Sequence, residues 1–337
     1  MALRVGIIGA GWVACARHIP AYRRHPQAEL VGIFDRHPER AQAAAAKHGA
    51  AQACASVEQL LDLRPDVVSV CTPPWTHATV VRDALAAGAH VLTEKPMAMN
   101  EVDAQAMADA SRAAGRILTV SHNFLFSRAV RQADRALRKL GSVAYAAGIQ
   151  LSSHRRRLPA WYEQLPGGLL FDELPHMVYV LDHYIGPLTL ESVRAVPRPG
   201  RSSPASCEIL VRGPRATGQI VTVFDSPVSE WHVGLVAEQG VVDVDLFRQF
   251  AVPVPQDDDH GPLDVLRSSA LGTWGHARGF MTSGLSLAAG RMTWGHGGLV
   301  RQFVDAALGQ APPPVTLDDA VAVVRLTDQI VAQLPAG

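Results

Sequence analysis

The chain has 337 residues, 48% of them hydrophobic and 18% charged, which is enough apolar side chain for two moderate cores, so two domains are expected. Thirty-one Lys and Arg balance thirty-one Asp and Glu, leaving no global field that would favour nucleic acid or an anionic membrane surface. Cys15, Cys54, Cys71 and Cys207 show no C-x-x-C or zinc spacing, the N-terminus enters a strand at once, and no apolar run reaches about twenty residues; the expectation is a cytoplasmic protein with reduced thiols and no metal.

The first 122 residues alternate short β-branched runs with alanine-rich helical segments, the rhythm of a doubly wound parallel sheet. Strands are expected at Arg4–Ile8, Leu30–Phe34, Val67–Cys71, His90–Thr93 and Ile117–Ser121, with helices clearest at Ala78–Ala87 and Val102–Ala114. The first strand runs into Gly9-Ala10-Gly11-Trp12-Val13-Ala14. In such a turn Gly9 takes the tight bend, Gly11 removes the Cβ that would bar a pyrophosphate, and Ala14 allows close helix–strand packing. The helix N-terminus then offers free N–H groups and partial positive charge to the phosphates. Asp35 closes the second strand about twenty residues further on, where a carboxylate accepts from ribose hydroxyls. That favours NAD. Arg36 beside it suits a 2′-phosphate, so NADP is not excluded.

From about Arg128 the pattern changes. A helix at Ala129–Leu140, a strand at Val143–Leu151 and a Pro-rich loop ending at Gly168 precede a helix at Leu170–Tyr184. Alternating runs at Ser192–Val196, Cys207–Val211, Gly218–Val223, His232–Ala237 and Val241–Leu246 read as a mainly antiparallel sheet. Val254–Gly261 reads as an exposed acidic loop, Ala270–Gly298 is too Gly-rich to assign, and Leu299–Leu308 and Leu317–Leu334 read as closing helices. The basic run His154-Arg155-Arg156-Arg157 reads as a solvated loop. The fold class is thus an N-terminal α/β Rossmann domain, 1–122, followed by an α+β domain, 123–337, with an open, mainly antiparallel sheet.

Four motifs fall in order: the Gly-rich turn; Cys71-Thr72-Pro73-Pro74 with His77; Glu94-Lys95-Pro96; and Gly167-Gly168 followed by Asp172 and His176. Together they resemble the glucose–fructose oxidoreductase, inositol dehydrogenase and MocA (Gfo/Idh/MocA) family. The resemblance implies an NAD(P)-dependent oxidoreductase acting on a sugar, cyclitol or related alcohol, with the open sheet serving in a homodimer or homotetramer. It implies cofactor contacts at Gly9, Gly11, Trp12, Val13, Ala14, Asp35, Arg36, Thr72, Pro73, Pro74, His77, Glu94 and Lys95. Catalysis falls to Lys95, Asp172 and His176.

The residues support that assignment on their own chemistry. Lys95 sits at the carboxyl end of a predicted parallel strand, where open α/β sheets bind ligands, and its charge would stabilise a developing alkoxide. Pro96 restricts it to extended backbone. Asp172, His176, Tyr179 and His183 recur at spacings of four, three and four along an otherwise apolar helix, giving one polar stripe; Tyr179 and His183, with Asn123 at the domain exit, are candidate substrate contacts. Neutral His176 would exchange the hydroxyl proton and Asp172 would orient it. Pro166 in place of a third glycine, Pro175 before His176, and Tyr179 where many relatives carry Asp depart from the family pattern and leave the substrate open. Two other functions remain at this level: an NAD-dependent glycosidase or lyase using transient oxidation, and a non-catalytic NAD(P)-sensing regulator.

Overall fold

In a computed structural model, residues 2–153, 155, 158, 161–257, 259 and 261–335 are described, and the chain divides into two units: Met1–Asn123 with His296–Asp328, and Phe124–Gly295 with Gln329–Gly337. The first unit holds a six-stranded sheet, β1 (Leu3–Ile8), β2 (Ala28–Phe34), β3 (Ala53–Cys54), β4 (Val67–Val70), β5 (His90–Thr93) and β6 (Leu118–Val120). Every pairing is parallel and the order is β3-β2-β1-β4-β5-β6. That is the dinucleotide-binding order, with the direction of winding reversing between β1 and β4. The strands are buried on both faces, as helix-covered parallel strands must be: all four residues of β4 are buried, Ser69 included. β3, only two residues long, carries no periodic signal and escapes a reading by pattern.

The first unit is assembled from two stretches of chain. Helices His296–Ala307 and Leu317–Val331 are amphipathic, and their apolar residues Leu299, Val300, Phe303, Val304, Val321 and Val324 are buried. Polar contacts fix this return: Val315 N donates to Thr119 Oγ1 at 3.2 Å, Arg325 Nε to Glu101 Oε1 at 2.6 Å, and Arg112 Nη2 to Asp318 Oδ1 at 2.8 Å. Short-range patterns locate such helices but do not say which core they complete.

The second unit carries a seven-stranded sheet of β7 (Val143–Ser153), β8 (Thr189–Val196), β9 (Ser206–Arg212), β10 (Thr217–Ser226), β11 (Glu230–Ala237), β12 (Gly240–Asp245) and β13 (Phe250–Pro255), in the order β13-β12-β11-β7-β10-β9-β8. Only β10 and β7 run parallel. In β9 and β10 buried and more accessible residues alternate, so one face meets the core. Helix Leu169–Ile185 fills that core; it is apolar nearly all round and accordingly buried. One expectation is corrected here and one unassigned stretch is resolved. Val254 and Pro255 belong to β13 rather than to an exposed loop, and the Gly-rich stretch is largely helix, Pro262–Ala288, followed by helix His296–Ala307. Tertiary contact overrides glycine's poor helix propensity there: a Cβ at Gly279 would come within 2.5 Å of the Phe250 ring, so the glycines admit close packing on β13. Of the basic run, His154, Arg156 and Arg157 lie outside the described residues. No helix among the described residues is long and apolar enough to cross a membrane.

Gly213, in the β9–β10 turn, lies against the end of helix Leu169–Ile185, and a Cβ there would fall 1.6 Å from the Ile185 carbonyl oxygen. Gly213→Ala is therefore expected to destabilise the chain by about 1–3 kcal/mol or more. Gly272→Ala, in a helix with nothing within 4 Å of its Cβ position, should be neutral or stabilising by up to about 1 kcal/mol. Urea denaturation midpoints of the two variants check the contrast.

Candidate active site

The parallel sheet places the ends of β2, β1, β4, β5 and β6 side by side along one edge, so Asp35, the Gly9–Ala14 turn, Thr72–Pro74, Glu94–Lys95 and His122–Asn123 follow one another in that order. Gly9 has φ +95°, and a Cβ there would lie 2.7 Å from the Cys71 carbonyl oxygen; only glycine can make this bend between neighbouring strand ends. Gly11 faces open space, with nothing within 4 Å of its Cβ position. The protein therefore does not use that room itself, as a turn reserved for a pyrophosphate requires. The helix that follows contains a π-helical stretch, Ala14–His18, a form that recurs at functional sites. Trp12 is 52% exposed and its ring lies under the Arg17 guanidinium, 4.9 Å away; Val13 is partly buried and Ala14 fully so.

Asp35 does more than close β2. Its Oδ2 accepts from Ala10 N–H at 2.8 Å inside the Gly-rich turn, and its Oδ1 accepts from His37 N–H at 2.9 Å. The carboxylate thus fixes the turn beside which it stands, and each oxygen retains a second lone pair for a ribose hydroxyl. Arg36 is exposed, its Nε donating to His37 Nε2 at 3.2 Å. Glycine geometry, the room at Gly11 and an anchored acid at β2 fit an adenine dinucleotide.

Glu94 is the charged centre of this edge. It is 8% exposed; its Oε1 accepts from His18 Nε2 at 2.7 Å and its Oε2 from Lys95 N–H at 3.2 Å. His18 is fully buried and its Nδ1 meets Ser69 Oγ at 2.8 Å, while the His296 ring lies 5.8 Å away edge-on. Burial opposes the charge of Glu94, but the hydrogen bond and charge of His18, with His296 and Lys95 nearby, hold its carboxyl well below the usual range. Burial likewise opposes charge on His18, and Cys71 and Glu94 overcome it to raise the imidazole well above its ordinary value. The pair is ionised. His18, Glu94 and His296 offer ligand atoms within 4.8 Å of one another. Yet the 2.7 Å His18–Glu94 contact is a hydrogen bond, closer than the ~3.3 Å between two ligands of a tetrahedral ion with ~2.0 Å bonds.

His77 is buried, with Nδ1 3.0 Å from the Pro96 carbonyl oxygen and Nε2 2.9 Å from that of Thr72. It ties the exit of β4 to the segment after Lys95, a positioning role, and burial pushes its pKa down. Thr72 Oγ1 accepts from Thr76 Oγ1 at 2.6 Å, and Pro74 is buried beside the less covered Thr72 and Pro73. His122 is buried, and its burial drives the imidazole pKa down to about 3 against the pull of Glu94, so it stays neutral. Asn123 is buried next to it.

In the second unit the polar stripe divides. His176 Nδ1 and the Tyr179 hydroxyl are 2.7 Å apart, and that hydroxyl accepts from Phe124 N–H at 3.2 Å. Asp172 lies one turn back on the same helix and is 9% exposed. His183 is turned to another partner, Asp134 Oδ1 at 3.0 Å on helix Arg128–Leu140. Two aromatic neighbours of His176 escape any spacing argument because they come from other elements: Phe124 at 5.1 Å and Trp231 of β11 at 5.2 Å between ring centroids, with Phe247 stacked on Trp231 at 5.0 Å. The Trp231 indole N–H is buried without a hydrogen-bond partner. Glu173, also unforeseen, is a buried carboxylate accepting from Gln150 Nε2 at 2.7 Å and Ser152 Oγ at 2.8 Å. It anchors the helix to β7.

Residues 3–122 match the family described as "Oxidoreductase family, NAD-binding Rossmann fold", Gfo/Idh/MocA. D-glucoside 3-dehydrogenase of Escherichia coli (strain K12) is 35% identical over 201 residues, 57% of this chain and 57% of that protein. The chain spans little more than half the length of the curated relatives it matches. Among solved structures, levoglucosan dehydrogenase in complex with NADH and levoglucosan superposes with a TM-score of 0.79 at 20% identity, over 98% of this chain and 97% of the other. The WlbA dehydrogenase of Bordetella pertussis, in complex with NADH and UDP-GlcNAcA, gives 0.77 at 21% identity over 100% and 99%. These likenesses show that the chain shares its fold with those dehydrogenases over nearly its whole length.

The Glu94–His18 pair sets a pH signature. Glu94 has a lowered pKa in the folded chain, so its contribution is present above its unfolded pKa and lost as acid protonates it. His18 has a raised pKa, so its contribution is full below its unfolded value near 6.5 and declines as pH rises past it. Glu94→Gln should lower thermal stability most between about pH 5 and 6.5, with the gap to the unmutated chain narrowing above and below. Melting curves from pH 4 to 9 measure this; a gap that does not vary with pH would remove the ion pair from the account.

Proposed function

We propose that this chain is an NAD(P)-dependent dehydrogenase or reductase that moves a hydride between a nicotinamide and a secondary alcohol or ketone carbon of a sugar, cyclitol or related small molecule. The observation that carries the reading is the row of strand ends on which the Gly9 turn, Asp35 and Lys95 stand in sequence. The first unit holds the cofactor, with Gly9, Gly11 and the helix N-terminus taking the pyrophosphate and Asp35 the ribose. NAD is favoured because Asp35 would repel a 2′-phosphate. The second unit supplies the substrate contacts. A bound nicotinamide supplies the hydride acceptor or donor.

The residues of the chain supply the proton and the electrostatics. Lys95, its backbone held by Glu94, polarises the reacting oxygen and offsets negative charge as it develops. His176 takes the hydroxyl proton when the alcohol is oxidised and returns it when the ketone is reduced; its Nδ1 contact with Tyr179 sets the ring's orientation. Asp172 binds a neighbouring substrate hydroxyl or supports the imidazole. The rings of Phe124 and Trp231 around His176 suit the apolar faces of a sugar ring.

Titration should show NADH binding more tightly than NADPH, with Asp35→Ala narrowing the gap; tighter NADPH binding in the unmutated chain would transfer the choice to Arg36. Lys95→Ala and His176→Ala should each lower turnover by about a hundredfold or more while NADH binding and the circular dichroism spectrum persist. On a panel of sugars, cyclitols and glycosides, absorbance of the reduced nicotinamide should change in proportion to product. Product formed without that change would point instead to transient oxidation by a retained cofactor, and no turnover with intact NADH binding would favour a sensor.

A further inference from the structure

Helix Pro262–Ala288 is built inside out. The side that meets β13 is small and polar: Ser268, Gly275, Gly279, Ser283 and Ser286 are buried or half-buried. Gly275 and Gly279 approach so closely that a Cβ would come within 2.5 Å of Val252 and of Phe250. The large apolar residues point away from the unit to which the helix belongs, with Leu263 80% exposed, Leu285 72%, Phe280 68%, Leu266 66%, Trp274 64% and Met281 51%. Surface helices normally bury the apolar face and solvate the polar one. Over 27 residues the only Asp, Glu, Lys or Arg are Asp264, Arg267 and Arg278.

We infer that this helix is a self-association surface, and that its partner is the same helix of a second copy of the chain. The exposed side chains present on the order of 10³ Å² of apolar surface, beyond the ~300–600 Å² of the largest patch on an ordinary monomer and comparable to the ~800 Å² each partner gives to a stable interface. The face is self-complementary in form. Ala270, Ala277 and Gly284 recur every seven residues along its centre, flanked by Leu266, Phe280 and Leu287 on one side and by Trp274 and Met281 on the other. A two-fold related helix can set its large flanking residues against that shallow track, the arrangement an isologous contact demands. The chain has a formal net charge of zero, so copies do not repel at long range. A lipid surface fits poorly, because a membrane-lying helix turns a Lys/Arg-rich face to the headgroups and here the polar face is uncharged and spent on β13. The contact is separate from the outer face of the sheet, where Ile149, Leu210, Val236 and Val241 are also exposed.

The test is the mass of the full-length chain in solution by sedimentation velocity over a hundredfold concentration range, for the unmutated chain, Trp274→Glu/Met281→Glu, and Leu210→Glu on the sheet face. The expected result is an oligomer whose mass halves in the helix double variant, with circular dichroism and NADH binding unchanged, whether or not Leu210→Glu also lowers it. A monomeric unmutated chain, or a folded double variant of unchanged mass, overturns the proposal. Flotation with vesicles of mixed neutral and anionic lipid that is abolished by the double variant overturns it in favour of a membrane. If the double variant does not fold, oxidative cross-linking of Ala270→Cys, Ala277→Cys and Gly284→Cys decides: a covalent dimer from at least one supports the contact, and none from all three overturns it.

Discussion

The buried carboxylate of Glu94 joins parts of the first unit that the chain brings together from far apart. One oxygen holds His18, on the helix that the Gly-rich turn opens, and the other holds the backbone of Lys95 at the end of β5. A charge at this depth is tolerated only because it is paired and hydrogen-bonded; removing one partner of such a pair commonly costs about 3–5 kcal/mol. The arrangement couples the geometry of the Gly-rich turn's helix to the backbone position of Lys95. His77 reinforces it from the other side, spanning the carbonyls of Thr72 and Pro96. The strand-end row is thus a braced edge rather than a set of independent loops.

The second unit solves a different problem. Its helix Leu169–Ile185 must be apolar enough to fill a core yet carry Asp172, Glu173, His176 and Tyr179. Glu173 is held by Gln150 and Ser152 from β7 and is thereby paid for internally. His176 and Tyr179 are held by each other and by the Phe124 backbone, within a wall of aromatic rings. The unpartnered Trp231 N–H marks this as a place where the protein has left a polar group unsatisfied.

Much of this was legible in residue order because parallel strands convert sequence order into spatial order. Once Arg4–Ile8, Leu30–Phe34, Val67–Cys71 and His90–Thr93 read as strands, the residues just after each had to share an edge, and Gly9, Asp35, Thr72 and Lys95 stand along it in the structure. Contacts made across elements left no such trace. His18 reads as one more helix residue until Glu94 is seen beside it, and Trp231 and Phe124 meet His176 only through tertiary packing. Spacing also overreached: the i, i+3, i+4 stripe carries on to His183, but a neighbouring helix offers Asp134 and claims the last imidazole. Composition left Ala270–Gly298 unassigned, because the glycines at 275 and 279 answer to a close approach made by β13 and not to any local pattern.

The two-stretch construction of the first unit has a consequence for synthesis. Its parallel sheet is complete in sequence by Val120, yet the helices that cover part of it are translated only after the entire second sheet. At ordinary elongation rates of about 5–20 residues per second, roughly ten seconds or more separate the two. During that interval Thr119 and Glu101 wait for Val315 and Arg325, and the nascent half-domain exposes apolar surface to anything nearby. The second unit has the opposite order of events: β7 through β13 emerge consecutively and can pair as they leave the ribosome. The unit that begins first must wait for the whole of the second sheet before it can finish.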